Sequence, residues 1–201
     1  MAALTVRTAR LQLRPMDETD LDALVELDGF EEVRSAIDPF AEHIPGDPAE
    51  RREYERRFLY PAGFLAAIEQ AGGRFLGWFQ LQDERGLALG AQAAALGGTP
   101  AAAARASDAG AAAPAAPART EVEIGYRFRP DAWGQGFATE GASTLLADAL
   151  GRPEVARVYA HVLVGNRGSI RVMEKIGMTY AGPWSYRGLD GAEYEALPAG
   201  T

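Results

Sequence analysis

Residues 123–140 read EIGYRFRPDAWGQGFATE. A strand-like run ends at Pro130, two glycines follow one residue apart at Gly134 and Gly136, and helix-forming sequence takes over. Glycine permits backbone conformations closed to other residues and lets another molecule approach the main chain. The start of a helix also exposes N–H groups that have no intrahelical partner and that favour an anion. The stretch is therefore either a tight turn or a cradle for a phosphate.

The flanks build a fold outward from it. TEVEIGYRF (120–128) alternates as a strand, with Glu121, Glu123 and Gly125 on one face. GFATEGASTLLADAL continues as a helix with Ala138, Ala142, Leu145, Leu146 and Ala149 along one side. RVYAHVLV (157–164) is nearly all apolar and predicts a strand buried at the centre of a sheet, with His161 as a core histidine. SIRVMEKIG predicts a short helix closed by Gly177. MTYAGPWSY and EYEAL predict two closing strands around a turn at LDGA. Toward the N-terminus, ARLQLR (9–14) alternates as a half-buried strand through Leu11 and Leu13. Asp17 or Thr19 then caps a helix carrying Leu21, Leu24 and Leu27. GDPAERREYERRFL predicts a second helix, with Pro48 near its start and Tyr54, Phe58 and Leu59 as its apolar side. GFLAAIEQ and RFLGWFQLQ predict a hairpin around Gly72 and Gly73. The order gives a mixed α/β (α+β) sheet with helices on both faces.

Composition narrows the function. The chain of 201 residues is 47% hydrophobic and 24% charged, as expected of a globular protein. No apolar run reaches the roughly 18 residues of a membrane span, and arginines interrupt the N-terminal apolar stretch, so no membrane partner is expected. The absence of cysteine removes thiolate metal sites and a cysteine nucleophile, and fits a reducing cytoplasm. His43 and His161 have no metal-ligand spacing, so no metal is expected. A net charge of −8 argues against nucleic acid and suits a cationic amine. Between residues 86 and 119, 17 of 34 residues are alanine, interleaved with glycine and proline. That segment predicts a flexible insertion between two strands of one domain spanning 1–201.

Three phosphate cradles compete for the glycine stretch. A nucleotide P-loop requires Gly-Lys-Ser/Thr after four residues, and no lysine stands there. A dinucleotide fingerprint requires a third glycine where Thr139 stands, and an early βαβ unit for which too little chain follows. The third cradle fits: WGQGFA resembles the Gln/Arg-x-x-Gly-x-Gly/Ala motif of the GNAT superfamily of acyl-CoA-dependent N-acyltransferases. Trp133 replaces the first Gln/Arg, which is similar to the ribosomal-protein N-terminal acetyltransferase branch. NRGSIRVMEKIGM (166–178) resembles the Asn-x-x-Ser…Glu-Lys-x-Gly-Phe helix of that branch, with Met178 for Phe, and RLQLRPMDETDLDAL resembles its opening strand and helix.

The resemblance implies a mostly antiparallel sheet of about seven strands that splays open for acetyl-CoA. It places the pyrophosphate on the backbone of Gln135, Gly136, Phe137, Ala138 and Thr139, with Gly134 and Gly136 bare, and the pantetheine arm beside Phe128, aided by Asn166. Acetyl transfer to an amine requires a neutral nucleophile, a donor for the carbonyl and a proton for the departing thiolate. Glu123 is the candidate base, with Glu121 as its rival on the same strand face, and the backbone N–H near Phe128 is the carbonyl donor. The tyrosine that many family members place seven residues after the Asn is Met173 here, so Ser169 is the candidate donor to sulfur. Expected partners are acetyl-CoA and an amine acceptor, a peptide N-terminus or a small molecule, on a monomer or homodimer. A CoA-binding module without turnover is the alternative reading.

Overall fold

The chain is seen in a computed structural model that describes residues 5–37, 44–59, 63–83 and 119–199. His43, the side chain of Phe58 and all of the 86–119 segment except Arg119 lie outside the described residues. The strands are β1 (Val6–Arg7), β2 (Leu11–Pro15), β3 (Phe64–Glu69), β4 (Phe75–Asp83), β5 (Thr120–Phe128), β6 (Val155–Leu163), β7 (Thr179–Tyr186) and β8 (Leu189–Ala196). They form one sheet ordered β1-β2-β3-β4-β5-β6-β8-β7. β5 and β6 are parallel, and the other neighbours are antiparallel. The helices are α1 (Leu21–Leu27), α2 (Glu31–Ala36), α3 (Pro48–Glu55), α4 (Phe137–Leu150) and α5 (Arg167–Lys175).

Two apolar layers cover the sheet. On one face, Leu145, Leu146 and Ala142 of α4 and Met173 of α5 join Phe79, Ile124 and Val158. On the other, Leu24 and Leu27 of α1 and Val33 of α2 meet Ala66, Phe75 and Trp78. Gly141 brings α4 close to the sheet, because a Cβ there would stand 2.3 Å from Phe79 Cζ. Asp83 pairs with Val122, so the chain leaves β4 and returns on β5 at adjacent positions of one sheet.

Eight strands form where about seven were expected. The addition is β1, whose two residues pair with Gln12 and Leu13 and are too few to show a period. The final turn falls at Arg187 and Gly188, with φ of 49° and 81°, rather than at LDGA, which lies inside β8. Both central residues have φ above zero, as a two-residue hairpin turn demands. β6 is not buried on both faces: Val155, Val158, Ala160 and Val162 point into the core, whereas Arg157, Tyr159 and His161 face outward, half-buried. The second apolar layer takes its strand residues from β3 and β4, leaving this part of the sheet uncovered by helix. His161 is therefore not a core histidine.

A buried carboxyl pair lies under the second layer. Asp28 and Glu55 are each 1% exposed, and Arg127 of β5 pairs with one Asp28 oxygen. Among the described residues, Asp28 Oδ1 and Glu55 Oε1 find no donor. Burial, followed by the neighbouring Asp28 charge, pushes Glu55 up to about 9. A proton on Glu55 supplies the missing donor. A carboxyl raised in the folded state stabilises fully below its unfolded pKa and loses that contribution as pH climbs toward its folded pKa.

Glu55→Gln, which keeps a donor without a titrating proton, raises stability at pH 8 by about 1–3 kcal/mol and flattens the decline between pH 4.5 and 9. Denaturant titrations across that range check both. Gly141→Ala costs about 1–3 kcal/mol by overpacking Phe79, and Phe79→Leu in the same chain recovers part of the loss in Tm.

Candidate functional site

The parallel pairing of β5 and β6 runs only from Thr120 opposite Val155 to Glu123 opposite Tyr159. Beyond that point β5 stays with β4 as far as Phe128 opposite Gly77, and β6 stays with β8 as far as Leu163 opposite Gly191. The strands part, and a cavity of about 990 Å³ occupies the gap. Its walls include Tyr126 and Phe128 of β5, Gly134 and Gly136, Thr139 of α4 and Asn166 at the start of α5.

The glycine loop faces this cavity. Gly134 and Gly136 have φ of 74° and 83°, a region that L side chains rarely enter. Among the described residues, chain neighbours aside, no atom lies within 4 Å of where a Gly134 Cβ would stand, and the Gly136 position meets Arg10 Nη2 at 3.5 Å. The backbone is thus bare on its open side. α4 begins at Phe137, and its first i→i−4 bond runs from Glu140 N–H to Gly136 O. The N–H groups of Phe137, Ala138 and Thr139 therefore have no intrahelical acceptor.

Side chains hold the loop in place. Trp133 Nε1 donates to Phe128 O at 2.7 Å, which ties the loop to the end of β5. Arg10 donates to Gln135 O, stacks on Phe137 and pairs with Glu140 at 2.7 Å. Glu140 also accepts from Thr8 Oγ1 and from Arg10 N. Burial opposes its charge, but the hydrogen bonds from Thr8 and Arg10 prevail and hold Glu140 below the ordinary carboxylate range.

At the other wall, Asn166 accepts from Ser169 N–H and donates to Ala36 O at 3.2 Å. Its side chain thus caps α5 and fastens it to the end of α2. Ser169 lines the cavity, and its carbonyl accepts from Tyr126 Oη at 3.1 Å. Burial holds the Tyr126 hydroxyl protonated, well above its ordinary range. Met173 is 2% exposed and lies in the core. Arg167, Arg171 and Lys175 recur every fourth residue on α5 and line the same cavity. None of the three forms an ion pair among the described residues.

Glu123 stands where the pairing ends, on the sheet face away from α4. Glu123 Oε2 accepts from Gln80 Nε2 at 3.3 Å, and Oε1 lies 3.7 Å from His161 Nδ1. The other ring nitrogen of His161 meets Glu193 at 3.0 Å, and the ring stacks on Trp184 at 4.5 Å. Glu121, the rival carboxylate, is engaged by Arg157 at 2.9 Å. Sequence reading placed Glu123 at the head of this cluster but missed His161, Glu193 and Tyr126. The spacing of Tyr159 and His161, two apart on one strand, was the signal for the outward face.

A family model described as an acetyltransferase (GNAT) domain matches residues 10–179. The chain belongs to the GNAT family. A GNAT-family acetyltransferase from Bacillus anthracis superposes with a TM-score of 0.69 at 20% identity, covering 97% of this chain and 99% of that one. Spermidine N-acetyltransferase from Vibrio cholerae, solved with CoA and spermine, gives a TM-score of 0.63 at 15% identity over 94% and 96% of the two chains. RimL, a ribosomal L7/L12 α-N-protein acetyltransferase solved with coenzyme A, gives 0.63 at 16% over 96% and 98%. YkkB from Bacillus subtilis is 41% identical over 63 residues, 31% of this chain and 37% of that protein's length. These likenesses confirm the GNAT fold, with its mostly antiparallel, parted sheet.

Glu140→Gln weakens the tie between the β1–β2 connection, at Thr8 and Arg10, and the first turn of α4 by about 1 kcal/mol at pH 7. Because the native carboxyl is depressed, its contribution is present above the unfolded value near 4.5 and disappears as pH falls below it. Wild type and variant therefore converge in Tm toward pH 3, as calorimetry on the pair will show.

Proposed function

We propose that this protein, as a single domain, transfers an acetyl group from acetyl-CoA to a primary amine, within a ternary complex and without an enzyme nucleophile. The observation that carries this reading is the bare backbone at Gly134 and Gly136 facing a cavity between parted strands. The residues present fit the co-substrate. The N–H groups of Gln135, Gly136, Phe137, Ala138 and Thr139 receive the pyrophosphate at the helix entrance. Arg167, Arg171 and Lys175 add positive charge along the same cavity. The inner edge of β5 near Phe128 offers main-chain groups to the amides of the pantetheine arm, as a sheet edge does to an added strand. Bound acetyl-CoA would supply an activated thioester: its acyl carbon bonds to the amine nitrogen as the C–S bond breaks, and CoA leaves as the thiol with the second proton shed by that nitrogen.

Glu123 takes the proton from the incoming ammonium, directly or through a water. Gln80 fixes one oxygen of that carboxylate and leaves the other to the open face. The Ser169 hydroxyl donates toward the sulfur, because Met173 carries no proton to give. Asn166 acts chiefly by position, since its amide already joins Ala36 to the first turn of α5. The acceptor is a peptide α-amine or a small cationic amine, for which the carboxylates of the open face provide attraction. No helix among the described residues is long and apolar enough to cross a membrane, and the protein works in the cytoplasm.

The test pairs two variants of one position. Gly136→Ala adds only the strain of a side chain at positive φ, whereas Gly136→Trp also fills the cradle. In isothermal titration with CoA, the tryptophan variant binds at least about tenfold more weakly than the alanine variant, a difference of about 1.4 kcal/mol. Equal affinities with folded protein would sink the cradle assignment. Thiol release from acetyl-CoA against a panel of amines and N-terminal peptides then identifies the acceptor, with no protein thiol to interfere.

A further inference from the structure

We propose that His161 is a proton-relay residue that receives the acceptor's proton from Glu123 and passes it to solvent, with Glu193 and Trp184 fixing its ring. This inference rests on the acetyl-transfer reading of the same site. The arrangement is specific. Both ring nitrogens face carboxylates, Nδ1 at 3.7 Å from Glu123 Oε1 and Nε2 at 3.0 Å from Glu193 Oε2. The nearer contact places the single N–H of the neutral ring on Nε2, donating to Glu193, and leaves the Nδ1 lone pair toward Glu123. Trp184 stacks on the ring at an interplanar angle of 14°, and Tyr159 meets it edge-on at 5.3 Å. The ring is thus held on two sides and steered at both nitrogens.

A relay serves turnover: the proton that Glu123 accepts must leave before the next acceptor binds, and His161 lies beside the carboxylate on the open face. At 3.7 Å the Glu123–His161 contact is within ion-pair range and longer than a hydrogen bond, so the proton crosses as the two side chains approach. The ammonium N–H bond breaks, its electron pair stays on nitrogen, and the proton passes through a Glu123 oxygen to His161 Nδ1. The resulting imidazolium is stabilised by Glu193 through Nε2–H and then loses a proton to water.

The charged groups around the ring favour this chemistry. Glu123 approaches from β5 and Glu193 from β8, while β7 contributes the uncharged Trp184. Arg157, two residues along β6, is taken up by Glu121, Glu193 and Glu195. Arg157 first, and His161 after it, hold Glu193 below the ordinary carboxylate range against the effect of burial, so it stays an anion. Glu123 chiefly raises the His161 pKa above its usual 6.5, with burial opposing and Glu193 adding.

Two measurements test the relay. Proton NMR of the imidazole C2–H follows the His161 midpoint, assigned by its loss in His161→Asn. The expected midpoint lies above 6.5 in wild type and falls in both Glu123→Gln and Glu193→Gln. In thiol-release kinetics with spermidine and an alanine-initiated peptide as acceptors, wild-type kcat/KM rises with pH through that midpoint. His161→Asn lowers kcat/KM by about tenfold to a hundredfold, removes that limb and leaves CoA affinity within about twofold. Glu193→Gln, which keeps the ring, moves the limb to lower pH and covers the case in which the asparagine variant does not fold. An unchanged pH profile in a folded variant, or a midpoint indifferent to both carboxylates, overturns the relay while leaving acetyl transfer standing. No turnover with any amine in a protein that still binds CoA overturns the transfer reading, and the relay falls with it.

Discussion

The parting of β5 and β6 after Glu123 and Tyr159 governs the architecture. Past that point each strand keeps its outer partner to its end, β4 for β5 and β8 for β6. Beyond the parting, their inner edges have no strand between them. Unpaired main-chain groups in a protein interior are costly unless something supplies partners. Here the gap opens into a cavity, so those groups are presented to whatever enters it. The sheet is continuous at one end and split at the other. The split fixes where α4 starts, where α5 starts and which side chains face each other across the opening.

The same split divides the two halves of the site. Core-facing residues of β5 point toward α4 and α5, where Tyr126 reaches the Ser169 carbonyl. Residues of the other parity point to the opposite face, where Glu123 meets His161. Strand alternation thus sends the Tyr126 contact and the Glu123–His161 contact to opposite sides of one strand, which on the proposed reading separates cofactor binding from proton chemistry. Arg127 continues that second face into the buried pair of Asp28 and Glu55, which binds the α1–α3 layer to the strand next to the opening.

Much of this was legible in the sequence because it is written locally. The glycines at 134 and 136 and the periodicity of α4 need no long-range knowledge, and their elements stand where the pattern puts them. What was hidden depends on cover by other elements. β6 reads as a fully buried strand because valine, alanine and leucine occur at both parities, but only one of its faces has helices over it. His161 was assigned to the core for that reason. Glu193 and Trp184 meet it only because β8 pairs with β6 and β7 with β8, an order that no single segment encodes. The turn at Arg187 escaped because arginine is an unusual residue for positive φ, whereas LDGA carries the common turn signals.

Charge shows how local arrangement overrides the bulk figure. The net charge of −8 describes neither side of the opening. Arg167, Arg171 and Lys175 line the cavity without carboxylate partners among the described residues, while Glu121, Glu123, Glu193 and Glu195 gather on the open face with Arg157 and His161 among them. Exposed charges act over about 8 Å at physiological salt, so each ligand feels the group nearest its own entrance. On the proposed reading, an anionic co-substrate and a cationic acceptor are each drawn to a different side of β5. A uniformly basic cleft would hold the phosphates but repel the ammonium, and a uniformly acidic one would do the reverse. Splitting the sheet between the two allows opposite fields to stand on either side of one strand.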